Sequence, residues 1–154
     1  MLSIQSTEIQ QTKVKDLMIH AEKVANVQSQ NPLEHALLVL VKTGYSAVPV
    51  LDSDFHFEGV ISKTMIIESI LGIERIEVEK LSNLRVKSVM EKEFPTLNKE
   101  DGFMQGLKVV VDHPFVCVVD EDGYFDGILT RRAILKRLNQ YLHENFYQNE
   151  QSQG

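Results

Sequence analysis

The chain has 154 residues and a formal net charge of −6 at pH 7. This acidic balance argues against general nucleic-acid binding, and the length allows one compact domain with a real core. The single cysteine, Cys117, excludes an intrachain disulfide framework. The first residues are polar, and no apolar run reaches the roughly 18 residues of a membrane span. We therefore expect a soluble cytoplasmic protein with no membrane and no nucleic-acid partner.

The first half of the chain predicts two helices around a pair of strands. Residues 1–12 are polar and predict a short arm or first helical turn. Asn31-Pro32 begins a helix that ends at Gly44, and its expected buried face contains Leu33, Ala36, Leu37, Leu40 and Val41. Residues 47–51 and 57–61 predict strands that flank a turn at 52–54. A second helix runs from 64 to 71 and ends at Gly72.

The second half repeats this order after a linker at 73–83. Asp101 is predicted to cap a helix with apolar residues at 103, 106, 107, 110 and 111. Strands at 115–119 and 125–129 flank the turn 121–123. Thr130 is predicted to cap a last helix that extends as far as Tyr147. We divide the chain into unit 10–72, linker 73–83, unit 84–142 and a polar tail at 143–154, which we expect to fray from Gln148 onward.

An internal repeat is the strongest signal in this sequence. Val14-Lys15-Asp16-Leu17-Met18 recurs as Val86-Lys87-Ser88-Val89-Met90, and Gly59-Val60-Ile61-Ser62 recurs as Gly127-Ile128-Leu129-Thr130. One supersecondary unit is therefore used twice. Units of roughly 60 residues are marginal alone, so we expect them to share a core.

The repeated unit resembles the CBS domain, and two in tandem resemble a CBS pair, or Bateman module, over residues 10–142. The resemblance implies an α/β fold of two β-α-β-β-α units with pseudo-twofold symmetry, packed as one module. It also implies adenine-nucleotide binding in clefts between the units and a homodimer assembled face to face as a disc. With no catalytic motif or appended domain in the sequence, we expect a sensor and not an enzyme.

The usual mononucleotide motif of this family, Gly-x-x-[Ser/Thr]-x-x-Asp, is altered in both copies. Met65 and Ala133 stand where an aspartate clamps the ribose diol. A cyclic dinucleotide has an esterified 3′-oxygen and a second phosphate, so its site would exchange the acid for positive charge. Arg131 and Arg132 offer that charge at a predicted helix start, where backbone N–H groups favour anions.

The chain is similar to small CBS proteins of Firmicutes that bind cyclic di-AMP. That resemblance implies control of the (p)ppGpp synthetase/hydrolase Rel and of pyruvate carboxylase by the ligand-free protein. It also implies most of the expected ligand-binding residues, which are Lys23, Ala25, Tyr45, Ser46, Ala47, Thr130, Arg131 and Arg132.

Each expected ligand-binding residue has a role and a plainer alternative. Lys23 would pair with phosphate, and the small Ala25 would let the backbone approach the base, unless they are merely a surface lysine and an indifferent alanine. Tyr45 would stack on adenine, or it simply packs. The backbone of Tyr45, Ser46 and Ala47 would read the adenine edge, and the Ser46 side chain would reach phosphate or base. Ser62 and Thr130 are either ligand contacts or helix N-caps.

Only one cleft per chain is expected to be occupied. The stretch Ser62-Lys63-Thr64 carries one lysine and no arginine, so its cleft is expected to be weaker or empty. The histidines show no paired metal-ligand spacing, and we expect no metal.

Alternatives to a cyclic di-AMP receptor remain open at this point. They are a sensor of AMP, ADP or ATP, a ligand-independent interaction scaffold and, least favoured, an enzyme. Apolar residues in excess of one core predict a dimer face on helices 64–71 and 130–142. The glutamates near the linker either receive a basic partner or form a solvated face; they are Glu74, Glu77, Glu79, Glu91 and Glu93.

Overall fold

The computed structural model describes residues 7–152, with side chains described for 8–145. Seven helices, α1–α7, span Thr7–Gln11, Val14–Leu17, Leu33–Thr43, Lys63–Ile70, Lys80–Asn83, Phe103–Val110 and Arg131–Ser152. Seven strands, β1–β7, span Ile19–His20, Val27–Gln28, Ala47–Leu51, Phe57–Ser62, Thr96–Leu97, Phe115–Val119 and Phe125–Thr130. Single 3₁₀ turns lie at Ala21–Lys23 and Val86–Ser88. These described elements confirm the predicted mixed α/β architecture with two β-α-β-β-α units.

The described chain divides into two compact units that differ from the sequence repeats. Unit one contains residues 7–22, 95–120 and 126–152, and unit two contains 23–94 and 121–125. The opening segment of each repeat therefore packs with most of the other repeat. Val14 is buried in the core of unit one, and its repeat equivalent Val86 is buried in the core of unit two.

Unit one is a four-stranded sheet in the order β1-β7-β6-β5, with helices packed against it. Strand β1 is antiparallel to β7, and β5 is parallel to β6. Alternating apolar residues of the strands face the apolar stripes of the helices, which is the pattern that buries one face of each element. The buried core consists of Ile9, Val14, Leu97, Phe103, Val110, Val116, Val118, Leu129, Ile134 and Tyr141.

Unit two is built on a three-stranded sheet in the order β2-β3-β4. Strand β2 is parallel to β3, and β3 is antiparallel to β4 with Ala47 opposite Ser62. Residues of β3 are almost continuously buried, as expected for a central strand covered on both faces. The buried core consists of Val27, Leu33, Ala36, Leu40, Val48, Val50, Ile61, Ile66 and Val86.

The glycine that opens each return-strand motif admits a close backbone approach. A Cβ on Gly59 would lie 2.4 Å from the carbonyl oxygen of Glu91, and one on Gly127 would lie 2.1 Å from that of Ile19. Glu91 and Ile19 directly follow the repeated Val-x-x-[Leu/Val]-Met segments. In each unit, one repeated motif therefore supplies the glycine of this backbone contact, and the residue that follows the other motif supplies the carbonyl oxygen.

The helix starts differ from the prediction by one residue. The N-cap positions are Pro32 and Gly102, and neither Asn31 nor Asp101 caps its helix. The side-chain oxygen of Asn31 instead accepts from the backbone N–H of Gln28 at 2.8 Å, and Asp101 accepts from Asn98 at 2.8 Å. Each side chain thus closes the turn before the helix. At the other end, Gly44 closes α3 as predicted, donating its N–H to Leu40.

Two predictions of burial and one of length were wrong. Val41 and Val111 were expected on buried helix faces, but they are 62% and 67% exposed. Val41 lies in the last turn of α3, and Val111 directly follows the last residue of α6. Helix α7 passes its predicted end at Tyr147 and continues to Ser152, so residues 148–152 are helical and not frayed. Residues 1–6 of the predicted arm and 153–154 of the predicted tail lie outside the described residues.

Two further observations concern membrane-spanning helices and the single cysteine. No helix among residues 7–152 combines the length and apolarity that crossing a bilayer requires. Cys117 is a free thiol buried in β6, and its burial raises the pKa of the thiol.

The short helix α5 lies inside the predicted linker and follows a tight loop at 71–77.

Candidate functional site

The start of α7 holds three of the expected ligand-binding residues in unit one. The Thr130 hydroxyl oxygen accepts from the backbone N–H of Ala133 at 3.1 Å. Ser62, its repeat equivalent, accepts from Met65 at 3.1 Å at the start of α4. Both side chains therefore act as helix N-caps, which was the plainer reading of these residues. Each hydroxyl keeps its own hydrogen to donate, so capping and phosphate contact are compatible.

Arg131 is committed to the end of the neighbouring helix. Its Nε donates to the carbonyl oxygen of Val110 at 2.7 Å, and an Nη atom lies 3.4 Å from that of Val111. These are terminal carbonyls of α6, which lack intrahelical partners and favour a cation. By contrast, the exposed side chain of Arg132 forms no hydrogen bond or ion pair with any residue the structure describes. Arg132 is thus the arginine whose charge is available to an anion.

Unit two holds the other expected residues. Lys23 ends a 3₁₀ turn and is exposed, while Ala25 is half-buried against the core of this unit. Tyr45 follows the end of α3 and is 55% exposed, so its ring is accessible. Ser46 is exposed, and Ala47 begins β3 opposite Ser62. Tyr45, Ser46 and Ala47 are consecutive, and Ala47 is the first residue of β3.

A hydrogen bond equivalent in the two repeats was missed by the sequence analysis. The backbone N–H of Lys63 donates to the Ser46 carbonyl oxygen at 3.0 Å, and that of Arg131 donates to Pro114 at 2.8 Å. Ser62 and Lys63 had been assigned to a separate cleft from Ser46, yet unit two places them side by side. The sequence signal was available, since the repeat aligns Ser46 with Pro114 and Lys63 with Arg131.

The residues that replace the usual aspartate are structural. Met65 packs against the core of unit two, and Ala133 packs against the core of unit one. Both side chains are partly buried, and neither carries a carboxylate that could accept a hydrogen bond. A ribose diol would therefore find no carboxylate at the place where the usual family motif supplies one.

A cluster of potential metal ligands lies in the turn between β3 and β4, where no metal was expected. Ligand atoms of Asp52, Asp54 and His56 lie within 4.8 Å of one another. The cluster is largely satisfied by itself, because Nδ1 of His56 lies 3.0 Å from Asp52 and the other Asp52 oxygen accepts two backbone N–H groups. Hydrogen bonding by the backbone of His56, above all, lowers the pKa of Asp52.

The glutamates expected to form an acidic surface near the linker are partly neutralised. Glu79 pairs with Arg75, and Glu77 pairs with Lys80 at 2.5 Å. The side-chain hydrogen bond from Arg75 lowers the pKa of Glu79 to about 2. Charges of both signs therefore alternate along this loop, which favours the solvated-face reading.

The matching family model is that of the CBS domain, and it covers residues 14–72 and 86–140. The chain belongs to the CBS-domain family. It is 48% identical over 142 residues to cyclic di-AMP receptor B of Bacillus subtilis (strain 168), covering 92% of this chain and 97% of that protein.

Solved structures agree with this assignment. A CBS domain-containing protein of unknown function from Bacillus anthracis is 60% identical, with a TM-score of 0.81 over 86% of this chain and 96% of that one. The CbpB protein of Listeria monocytogenes, solved in complex with c-di-AMP, is 53% identical, with a TM-score of 0.79 over 84% and 97% of the two chains.

Proposed function

We propose that this protein is a receptor for cyclic di-AMP that regulates partner proteins by direct contact. The observation that carries the proposal is the 48% identity to cyclic di-AMP receptor B over 97% of that protein. A CbpB structure that contains the same ligand adds support at 53% identity. No reaction is part of the proposal: the protein binds a messenger and is not an enzyme.

The chemistry of the site supports a cyclic dinucleotide. Arg132 is exposed at the N-terminus of α7, where the dipole of the helix favours an anion. A guanidinium contacts a phosphate bidentately. The apolar Met65 and Ala133 suit a nucleotide whose 3′-oxygen is esterified, because such a ligand has no free diol to be clamped.

The residues assigned to the ligand divide by role. Arg132, Thr130 and Lys23 are assigned to phosphate, and Arg131 contributes charge while holding the end of α6. Tyr45 is assigned to stacking on adenine, with Ser46 and Ala47 presenting backbone groups to the base edge. Ala25 keeps the approach to the base open by being small.

The regulatory action is proposed to occur in the cytoplasm through a homodimer. Exposed apolar residues remain on α4 and α7, as a dimer face on these helices requires; they are Ile67 and Leu135, with Leu71 and Leu142 alongside. The proposed partners are a Rel-type (p)ppGpp synthetase/hydrolase and pyruvate carboxylase, contacted mainly by the ligand-free protein. If ligand and partner favour different states, each weakens the binding of the other by the same free energy.

A thermal-shift panel with cyclic di-AMP, AMP, ADP and ATP tests the proposed ligand. A ligand that binds only the folded protein raises the unfolding midpoint by mass action. We expect cyclic di-AMP to raise it far more than any mononucleotide, and in Ala133→Asp we expect the preference to move toward AMP. A larger shift with AMP or ATP in the wild type would assign an energy sensor instead, and no shift with any nucleotide would leave an interaction scaffold.

A further inference from the structure

Two adjoining turns of unit two form an exposed surface that the nucleotide site does not use. Residues 52–57 form the turn after β3 and the first residue of β4, and residues 121–125 form the turn after β6 and the first residue of β7. We call these two segments together the twin-turn surface. Phe55 is 57% exposed and Tyr124 is 43% exposed on it. Exposed aromatic side chains are enriched where proteins bind one another, so these two residues call for an explanation.

The twin-turn surface is held in one conformation by hydrogen bonds between its turns. The backbone N–H of Phe125 donates to the Phe55 carbonyl at 3.0 Å, and that of Phe57 donates to Gly123 at 2.9 Å. The ring of His56 lies 4.3 Å from the ring of Tyr124 and is held by Asp52. Because the backbone of both turns is already hydrogen-bonded, a partner would lose little backbone entropy in ordering it.

The charge of the twin-turn surface has a single sign. Asp54, Glu121 and Asp122 are exposed there, and Asp52 is half-buried beside them. Neither lysine nor arginine occurs between residues 43 and 62 or between residues 109 and 130. The residues of the twin-turn surface therefore combine exposed aromatic side chains with acidic ones.

We propose that the twin-turn surface docks a basic segment of a protein partner. Arginine or lysine side chains of that segment would lie on the faces of Phe55 and Tyr124, which attract cations, while the acidic side chains steer the approach. A second copy of this chain is a poorer fit because its net charge is −6. The proposal rests on the proposed function only in taking protein contact to be how the receptor acts.

Photo-crosslinking in cells identifies the occupant without assuming its name. The photoreactive phenylalanine analogue p-benzoylphenylalanine replaces Phe55 in one strain and the exposed Val41 of α3 in a control strain. Mass spectrometry then locates each adduct. We expect adducts specific to position 55 on a protein segment with a net positive charge. The proposal is overturned by no adduct at 55, by equal adducts at 41, or by adducts on a neutral or acidic segment or on a second copy of this chain.

Affinity measurements with the purified crosslinked protein complete the test. We expect Phe55→Asn and Asp54→Lys each to weaken its binding at least tenfold, and added salt to weaken it further. The matched controls Val41→Asn and Glu34→Lys should bind as the wild type does. Asparagine tolerates the positive φ of 70° at position 55, and Asp54→Lys carries the test should Phe55→Asn unfold.

Unchanged affinity in both twin-turn variants would contradict the docking proposal. Each variant is also titrated with cyclic di-AMP, where wild-type affinity is expected. A wild-type protein that fails to bind cyclic di-AMP would overturn the proposed function alone, because the crosslinking result does not depend on that ligand.

Discussion

The Nε atom of Arg131 donates a hydrogen bond to the carbonyl oxygen of Val110 at 2.7 Å. This bond joins the first residue of α7 to the last residue of α6. In unit two the equivalent helix α3 ends at Gly44, and Lys63 replaces Arg131. The arginine thus supplies a donor to the end of α6 that has no equivalent at position 63, and the adjacent Arg131 and Arg132 have different tasks.

We predict that Arg131→Met and Arg132→Met separate stability from ligand binding. Arg131→Met leaves terminal carbonyls of α6 without their cation and should lower the free energy of unfolding by about 1 kcal/mol. Arg132→Met should change it by less than about 0.5 kcal/mol, as is usual for an uncommitted surface side chain. Urea titration measures both. Equal destabilisation by the two substitutions would show that the hydrogen bond from Arg131 to Val110 does not contribute to the free energy of unfolding.

The contact between Gly127 and Ile19 predicts a large effect of one added methyl group. In Gly127→Ala the new Cβ would meet the carbonyl oxygen of Ile19 at 2.1 Å, in a backbone conformation with φ of 154°. We expect a loss of at least ~2 kcal/mol in the free energy of unfolding. Gly102→Ala is the control, because its nearest neighbour would lie at 3.9 Å, and it should cost less than about 1 kcal/mol. A tolerated Gly127→Ala would disprove the close approach of β1 to β7.

Glu100 predicts how stability responds to acid. Hydrogen bonds from Lys13 and then Lys15 lower the pKa of Glu100 from 4.5 to about 2. As pH falls through this window, the unfolded state binds protons before the folded state does, so stability decreases. In Glu100→Gln the decrease between pH 4.5 and pH 2 should be shallower, and 1 M salt should narrow the difference. Identical pH profiles of the urea midpoint for the two proteins would contradict this.

The sequence predicted the elements well because their causes are local. The predicted strands at 47–51 and 115–119 have the same bounds in the structure, because a short continuous apolar run is typical of a buried strand. The repeat also predicted that Ser62 and Thr130 are equivalent, and both make the same N-cap bond. Exchange of the opening segments was not predictable, because Val14 and Val86 are the same residue type at equivalent positions and the local pattern does not say which core each enters.

The expected site was harder to read than the fold. Side-chain commitments such as that of Arg131 to Val110 join residues far apart in the chain, and no local pattern announces them. Helical spacing likewise did not predict the exposure of Val41 and Val111 at the ends of their helices. The sequence did show that Met65 and Ala133 replace the usual aspartate, because these replacements can be identified without the structure.

Calorimetric titration with cyclic di-AMP, for the wild type and Arg132→Met, tests the central claim most directly. We predict tight binding of about one ligand per chain, weak binding of AMP and ATP, and loss of cyclic di-AMP binding in the variant, since Arg132 supplies an uncommitted charge to the phosphates. Wild-type protein that does not bind cyclic di-AMP, or that binds AMP or ATP more tightly, would contradict the account.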